Sequence, residues 1–204
     1  MHEEILTKNQ RQLLPLIKNF SGHFGLAGGT AIALQIGHRR SIDFDLFTQK
    51  RFFNTRIQDQ IREKLKIETI FIDKPNELTI LVNSVKITFY KYPFEVKYKI
   101  ALKDIVKMPD LLTLASMKSL ALGRRAKWKD YVDLYFVFRK YSLKEIVRCS
   151  KELFKGEFSE KLLREQLAYF KDIDYSEEID FMPGKKISDG EIKKTLTEIS
   201  LQKP

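Results

Sequence analysis

The sequence predicts an α+β chain: a mixed sheet with helices in residues 1–105, followed by a helical part in residues 106–204. Three observations carry this. IDFDLF (42–47) alternates apolar and acidic side chains, the period-two pattern of a half-buried strand. Three more strand-like runs follow, IETIFI, ELTILVN and VKITFYKY, divided by Asp73-Lys74-Pro75-Asn76 and Asn83-Ser84, turn residues that suit an antiparallel meander. Beyond Pro109 the apolar spacing becomes helical for most of the remaining chain.

Taken in order, residues 3–20 place Ile5, Leu13, Leu14, Ile17 and Phe20 at helical spacing, with Pro15 able to bend or restart the helix. HFGLAGG is a short apolar piece ending in a glycine pair. TAIALQIG then predicts a helix with Thr30 at or near its N-cap and Gly37 just past its end. In IDFDLF, Ile42, Phe44 and Leu46 are expected in the core and Asp43 and Asp45 together on the opposite face. Residues 53–66 read as a polar helix. The helical part comprises 110–125, 129–141, 142–154 and 159–173. An acidic stretch at 172–180, a loop at MPGKKISDG and a final short helix complete it.

Composition narrows the function classes. With 43% hydrophobic residues, fifteen Phe and eight Tyr, the chain has the material for a core and is not disordered. A single cysteine, Cys149, excludes an internal disulfide framework and a multi-cysteine metal cluster; three histidines (His2, His23, His38) argue against a His-rich zinc site. No apolar run approaches the roughly 18 residues of a membrane span, and MHEEILTKNQ has no signal-peptide core, so a cytoplasmic location is expected. The net charge is +10, and its excess is uneven. Between Lys97 and Lys129 stand Lys97, Lys99, Lys103, Lys107, Lys118, Arg124, Arg125, Lys127 and Lys129 against only Asp104 and Asp110. Such a stretch suits a triphosphate or an RNA backbone; a solvated lysine-rich surface would look the same.

Three features concentrate chemistry: Gly28-Gly29-Thr30, the basic loop His38-Arg39-Arg40-Ser41, and Asp43-Phe44-Asp45. A glycine pair opening a helix lets a ligand approach backbone N–H groups at the positive helix end, a phosphate seat to which Thr30 can add a donor. The same junction also arises from simple turn chemistry. Two carboxylates on one strand face, Cβ atoms about 6–7 Å apart at ~3.3 Å rise per residue, repel unless a cation lies between them. Hard oxygen ligands of this kind select Mg²⁺, although an ordinary solvent face of a strand would also accept them. Asp133, in YVDLYFVF, has apolar neighbours and needs a partner. That partner is either a cation shared with Asp130 on the same helix face or an arginine such as Arg39, Arg124 or Arg125.

In combination, the glycine pair, thirteen intervening residues and Asp-Phe-Asp resemble the signature of the nucleotidyltransferase superfamily with the polymerase-β-like fold. LAGGTAIALQIGHRRSIDFDLF is most similar to the AbiEii family, the nucleotidyltransferase toxins of type IV toxin–antitoxin and abortive-infection systems. Lys118 in LASMKSLALGRR and Asp133 in KDYVDL resemble that family's later motifs. The resemblance spans residues 20–140 and implies that residues 1–105 form the nucleotidyltransferase-type sheet.

The resemblance further implies that Asp43 and Asp45 hold Mg²⁺ and that Gly28, Gly29 and Thr30 seat the NTP phosphates. It implies that Lys118 reaches the triphosphate, and that a nucleoside monophosphate passes to an acceptor hydroxyl, with tRNA 3′ ends among the acceptors and an antitoxin as protein partner. Asp133 is the candidate for a further acidic role, and Arg39 for phosphate or acceptor contacts at the rim. One departure stands out. The third carboxylate expected on a later strand falls at Thr88, with Glu95 or Asp133 as offset candidates. A non-catalytic nucleotide- or RNA-binding relative, or an enzyme acting on a small molecule, are therefore the competing readings. Trp128, between two lysines, could stack on a base or pack a helix junction; Cys149 reads as structural.

Overall fold

The computed structural model describes residues 1–203. Helix α1 (Lys8–Phe20) is preceded by a 3₁₀ turn at Glu3–Ile5, so the expected single helix from residue 3 is broken at Leu6–Thr7. The break has a cause. Thr7 caps α1 by a capping box, its hydroxyl accepting from the Gln10 amide while Gln10 Oε1 accepts from the Thr7 N–H. α1 continues through Pro15, which is exposed.

Strand β1 (Gly25–Ala27) leads without a loop into α2 (Gly28–Ile36). α2 ends at Gly37 in the left-handed conformation (φ 71°), as the glycine predicts. Its N-cap is Ala27, three residues before Thr30, which places Thr30 inside the first turn. Strand β2 (Phe44–Thr48) and helix α3 (Asn54–Arg62) follow. Next come the meander of β3 (Ile67–Lys74), β4 (Glu77–Val82) and β5 (Val85–Lys91) and a small hairpin, β6 (Ile100–Leu102) with β7 (Val106–Met108). The hairpin lies at the junction between the sheet and the helices and carried no sequence signal strong enough to predict it. Helices α4 (Leu111–Leu122), α5 (Trp128–Phe138), α6 (Leu143–Phe154), α7 (Glu160–Ala168) and α8 (Asp189–Ser200) complete the chain. No helix among the described residues is long and apolar enough to cross a membrane.

The main sheet has the order β1-β2-β5-β4-β3, antiparallel except for the parallel β2–β5 pair. Alternation divides its central strands into two faces. Phe44, Leu46, Leu78, Ile80, Val82, Ile87 and Phe89 are fully buried on one. There Phe89 meets Phe20 of α1 edge-on at 5.0 Å and Phe24 at 5.2 Å. A buried phenylalanine of this kind contributes roughly 2–3 kcal/mol. Asp45, Phe47, Glu77, Thr79, Thr88 and Tyr90 occupy the other face and look into a cleft walled by α4.

Candidate active site

The cleft encloses about 700 Å³. Its floor is read off the strand register: Ala27 pairs with Asp45, Asp45 with Thr88, and Thr88 with Thr79. Asp45 thus stands mid-sheet, directly beside the start of α2. Gly28 adopts φ +66°, and a Cβ there would overlap the Asp45 carboxylate. At Gly29 a Cβ would lie 2.7 Å from the Arg39 guanidinium. Gly28 is therefore required by its left-handed backbone and the close approach of Asp45, whereas at Gly29 the added group would meet the end of the Arg39 side chain.

Asp43 lies one residue before β2, not on it. Ile42, expected in the core, is 63% exposed. The reason is the loop at residues 37–43, whose end before β2 is tied down by side-chain contacts and not by the sheet's ladder. The buried Thr30 hydroxyl donates to the Asp43 carbonyl and lies 2.9 Å from Ser41 Oγ, and Gln10 Nε2 donates to the Ser41 carbonyl at 2.8 Å. Thr30 is consequently spent on positioning Asp43, and its hydroxyl is not turned to the cleft as a phosphate donor. Asp43 still lines the cleft, 3.0 Å from Lys86 Nζ, and both carboxylates face the same space.

Asp45 has no hydrogen-bond or ion-pair partner among the described residues. Burial, reinforced by the Asp43 charge, pushes its carboxyl above the usual range. Two hard-oxygen donors at the floor of a cleft, one of them unpartnered, fit a divalent cation that completes its shell with water and phosphate oxygens. No cluster of three or more metal-binding side chains exists among the described residues. Thr88 occupies the neighbouring position, its hydroxyl 3.3 Å from that of Thr79, and Glu95 is exposed and away from the cleft.

Lys118 and Asp133 meet behind the carboxylates in a buried ionic cluster. Lys118 Nζ donates to Asp130 at 2.7 Å and lies 3.0 Å from Asp133. Arg39 donates to both Asp133 oxygens, at 2.7 and 2.9 Å, and His38 Nε2 is 2.8 Å from the same carboxylate. Asp133 therefore pairs with Arg39, one of the partners open to it from sequence, and Asp130 and Asp133 share a basic side chain. Burial opposes the charge on Asp133, yet Arg39, Lys118 and the His38 bond hold it well below the usual carboxylate range. Burial likewise disfavours charge on Lys118, but Asp130 and Asp133 keep it an ammonium. His38 is pushed down by burial and stays neutral. Lys118 and Arg39 still reach the cleft wall, each nearly buried.

The sequence reading missed the aromatic end of the cleft. One register step beyond Asp45 and Thr88 lie Phe47 and Tyr90, then Tyr92 and Phe94. Phe47 and Tyr92 stack at 5.3 Å, and Tyr90 meets Phe47 edge-on at 5.4 Å. Alternation along β2 and β5 was the available signal, since it turns Phe47 and Tyr90 to the same face as Asp45. Arg124, Arg125, Lys127 and Lys129 line the same cleft and with Lys86 make it basic. Trp128 does not join them: it is buried against Tyr131 and Tyr175 as a packing residue.

The chain is 32% identical over 181 residues to an uncharacterised protein of Aquifex aeolicus, covering 82% of this chain and 84% of the other. Among solved structures it is similar to a Helicobacter pylori protein assigned as a nucleotidyltransferase (TM-score 0.59, 15% identity, 98% and 94% of the two chains). It is also similar to MenT4, a nucleotidyltransferase toxin of Mycobacterium tuberculosis (0.57, 12%, 95% and 81%), and to JHP933 of Helicobacter pylori (0.57, 17%, 96% and 91%). At these identities the structural likenesses show the fold. Residues 16–198 match the model of the AbiEii nucleotidyl transferase toxin of type IV toxin–antitoxin systems, and the chain belongs to that family of nucleotidyltransferases.

Proposed function

We propose that this protein transfers a nucleoside monophosphate from an NTP to an acceptor hydroxyl on RNA, with a tRNA 3′ end as the acceptor, and does so with Mg²⁺. The observation that carries the reading is the unpartnered Asp45 carboxylate beside Asp43, at the floor of a basic cleft and against the glycine-opened N-terminus of α2. Asp43 and Asp45 would hold the cation, which when bound supplies charge neutralisation on the triphosphate.

The chain's own residues do the rest. The amides of Gly28 and Gly29 receive phosphate oxygens at the positive helix end. Lys118 and Arg39, fixed by Asp130 and Asp133, present a preorganised positive wall that costs no rearrangement at the moment of transfer. The acceptor oxygen bonds to the α-phosphorus as the bond to the β-phosphate bridge oxygen breaks, so pyrophosphate leaves and the acceptor proton passes to solvent. Positioning and electrostatics dominate such transfers, so a threonine where a third acid is expected is compatible with turnover. The aromatic shelf of Phe47, Tyr90 and Tyr92 lies at the end of the cleft away from the glycines, where the nucleobase of a bound nucleotide would stack. In this reading residues 1–105 supply the carboxylates and the shelf, residues 106–204 supply the cationic wall, the location is cytoplasmic, and an antitoxin restrains the activity.

The test is transfer from each of four α-labelled NTPs to total tRNA with Mg²⁺, wild type against Asp45→Asn. Label on tRNA with wild type alone supports the reading. NTP binding without label on any RNA would replace it with a non-catalytic relative, the reading that Thr88 favours.

A further inference from the structure

The acidic stretch at 172–180 has no part in the reading above. It forms a strap against two lysines of the cleft, fastened by backbone bonds at both ends. At one end the Asp174 N–H donates to the Ala126 carbonyl at 2.8 Å, and the Trp128 N–H to the Asp174 carbonyl at 3.0 Å. At the other, the Arg40 N–H donates to the Asp180 carbonyl at 2.8 Å and the Met182 N–H to the His38 carbonyl at 3.0 Å. Between these fastenings Glu177 turns inward. One carboxylate oxygen accepts from Lys127 Nζ at 2.7 Å and the other from Lys129 Nζ. Both lysines line the cleft, and Lys129 acts electrostatically on Asp45.

A carboxylate held by two ammonium groups is the arrangement a phosphate would take at the same place. Although burial opposes its charge, the two lysine bonds hold Glu177 down at about 2, so it is an anion throughout the physiological range. We infer that Lys127 and Lys129 form a phosphate subsite in the cleft and that Glu177 is its built-in competitor, leaving the lysines when a phosphate ligand enters. The inference builds on the proposed function only in the chemistry of that ligand, whose phosphate belongs either to the nucleotide's triphosphate or to the RNA backbone.

The experiment uses the full chain. Binding of inorganic tripolyphosphate and of a short ribo-oligonucleotide is measured by calorimetry for wild type, Glu177→Gln and the double variant Glu177→Gln/Lys127→Gln. Glu177→Gln keeps the shape of the strap and removes the competing charge. It should tighten at least one ligand roughly 3- to 10-fold, as expected for a half-exposed charged pair, and the double variant should cancel the gain. Tightening of tripolyphosphate assigns the subsite to the nucleotide; tightening of the oligonucleotide alone assigns it to RNA. Hydrogen exchange at residues 175–179 should rise when the ligand is added to wild type. Unchanged or weaker binding of both ligands by Glu177→Gln, or an unmoved strap at saturation, overturns the inference. A wild type that binds tripolyphosphate but transfers nothing would count against the transfer reading and leave this one standing.

Discussion

Asp45 and Thr88 stand opposite each other in the parallel register of β2 and β5, so the site's central carboxylate has a hydroxyl, not a second acid, across the ladder. The Thr88 hydroxyl is itself engaged with Thr79 at 3.3 Å. Asp43 bonds Lys86, and the third carboxylate on this face, Glu77, lies further along the cleft opposite Tyr90, so no acid stands across the ladder from Asp45.

Introducing that third acid is a direct probe. Thr88→Asp would put a carboxylate next to a group that burial and Asp43 already disfavour as an anion. The variant should melt below wild type in EDTA, by about 2–4 °C per kcal/mol for a chain of this size. Millimolar Mg²⁺ should restore most of the loss. Calorimetric scans with and without Mg²⁺ read both effects; a melting point indifferent to Mg²⁺ would show that no cation sits at this floor.

Removing the Asp45 charge should separate stability from activity. A carboxyl whose folded pKa is raised contributes stability fully below its unfolded value, about 3.9, and loses it as pH rises through the folded value. Asp45→Asn escapes that loss, so its melting temperature should match wild type near pH 4 and exceed it near pH 7. Transfer should fall at least ~10²-fold in the same variant. A variant that is less stable at pH 7 would mean that Asp45 is paired in solution.

Asp133 has the opposite sign. Its folded pKa is depressed by Arg39, Lys118 and His38, so its contribution is present above about pH 3.9 and is lost as pH falls through the folded value. Asp133→Asn leaves Arg39 and Lys118 buried with one negative neighbour fewer, and should cost about 3–5 kcal/mol at pH 7 in urea unfolding. The deficit should shrink on acidification. A loss under 1 kcal/mol would show that water reaches the cluster.

The aromatic shelf gives a kinetic prediction. Tyr90→Ala removes a cleft-facing ring but touches neither carboxylate. If the base stacks there, KM for the NTP should rise roughly 10-fold, within the range measured for base–aromatic stacking, with kcat changed far less. An equal fall in kcat at constant KM would place the ring on the acceptor side of the reaction.

How much of this was legible in the sequence depends on how local each cause is. The alternation of Phe44, Asp45, Leu46 and Phe47 sets the two faces of β2 without outside help, so the strand and the direction of Asp45 were readable. So was the end of α2, because Gly37 alone supplies the left-handed residue. The position of Asp43 was not, since the loop before β2 is held by Thr30, Ser41 and Gln10, contacts no periodicity encodes. Arg39 lies 94 positions from Asp133. The need of Asp133 for a partner could be read from its apolar neighbours, but the choice among arginines could not. The strap is the extreme case: its acidity was visible, and its place over Lys127 and Lys129 depends on backbone bonds to two distant loops.

The glycine pair supplies the sharpest single-atom test. Gly28 is left-handed at φ +66°, and a methyl group there would overlap the Asp45 carboxylate. Gly28→Ala therefore combines backbone strain of order 1–3 kcal/mol with displacement of the residue proposed to hold the cation. Gly29→Ala has no such backbone cost, and its methyl would press on Arg39, a flexible side chain already anchored to Asp133. The two variants should consequently differ in kind. Gly28→Ala should lose transfer at least ~10²-fold together with Mg²⁺-dependent stabilisation. Gly29→Ala should keep the Mg²⁺ response and lose affinity for the nucleotide instead. Melting temperature against Mg²⁺ concentration, measured alongside KM, distinguishes them, and a Gly28→Ala protein that retains the Mg²⁺ response would show that Asp45 is not the group through which the cation is held.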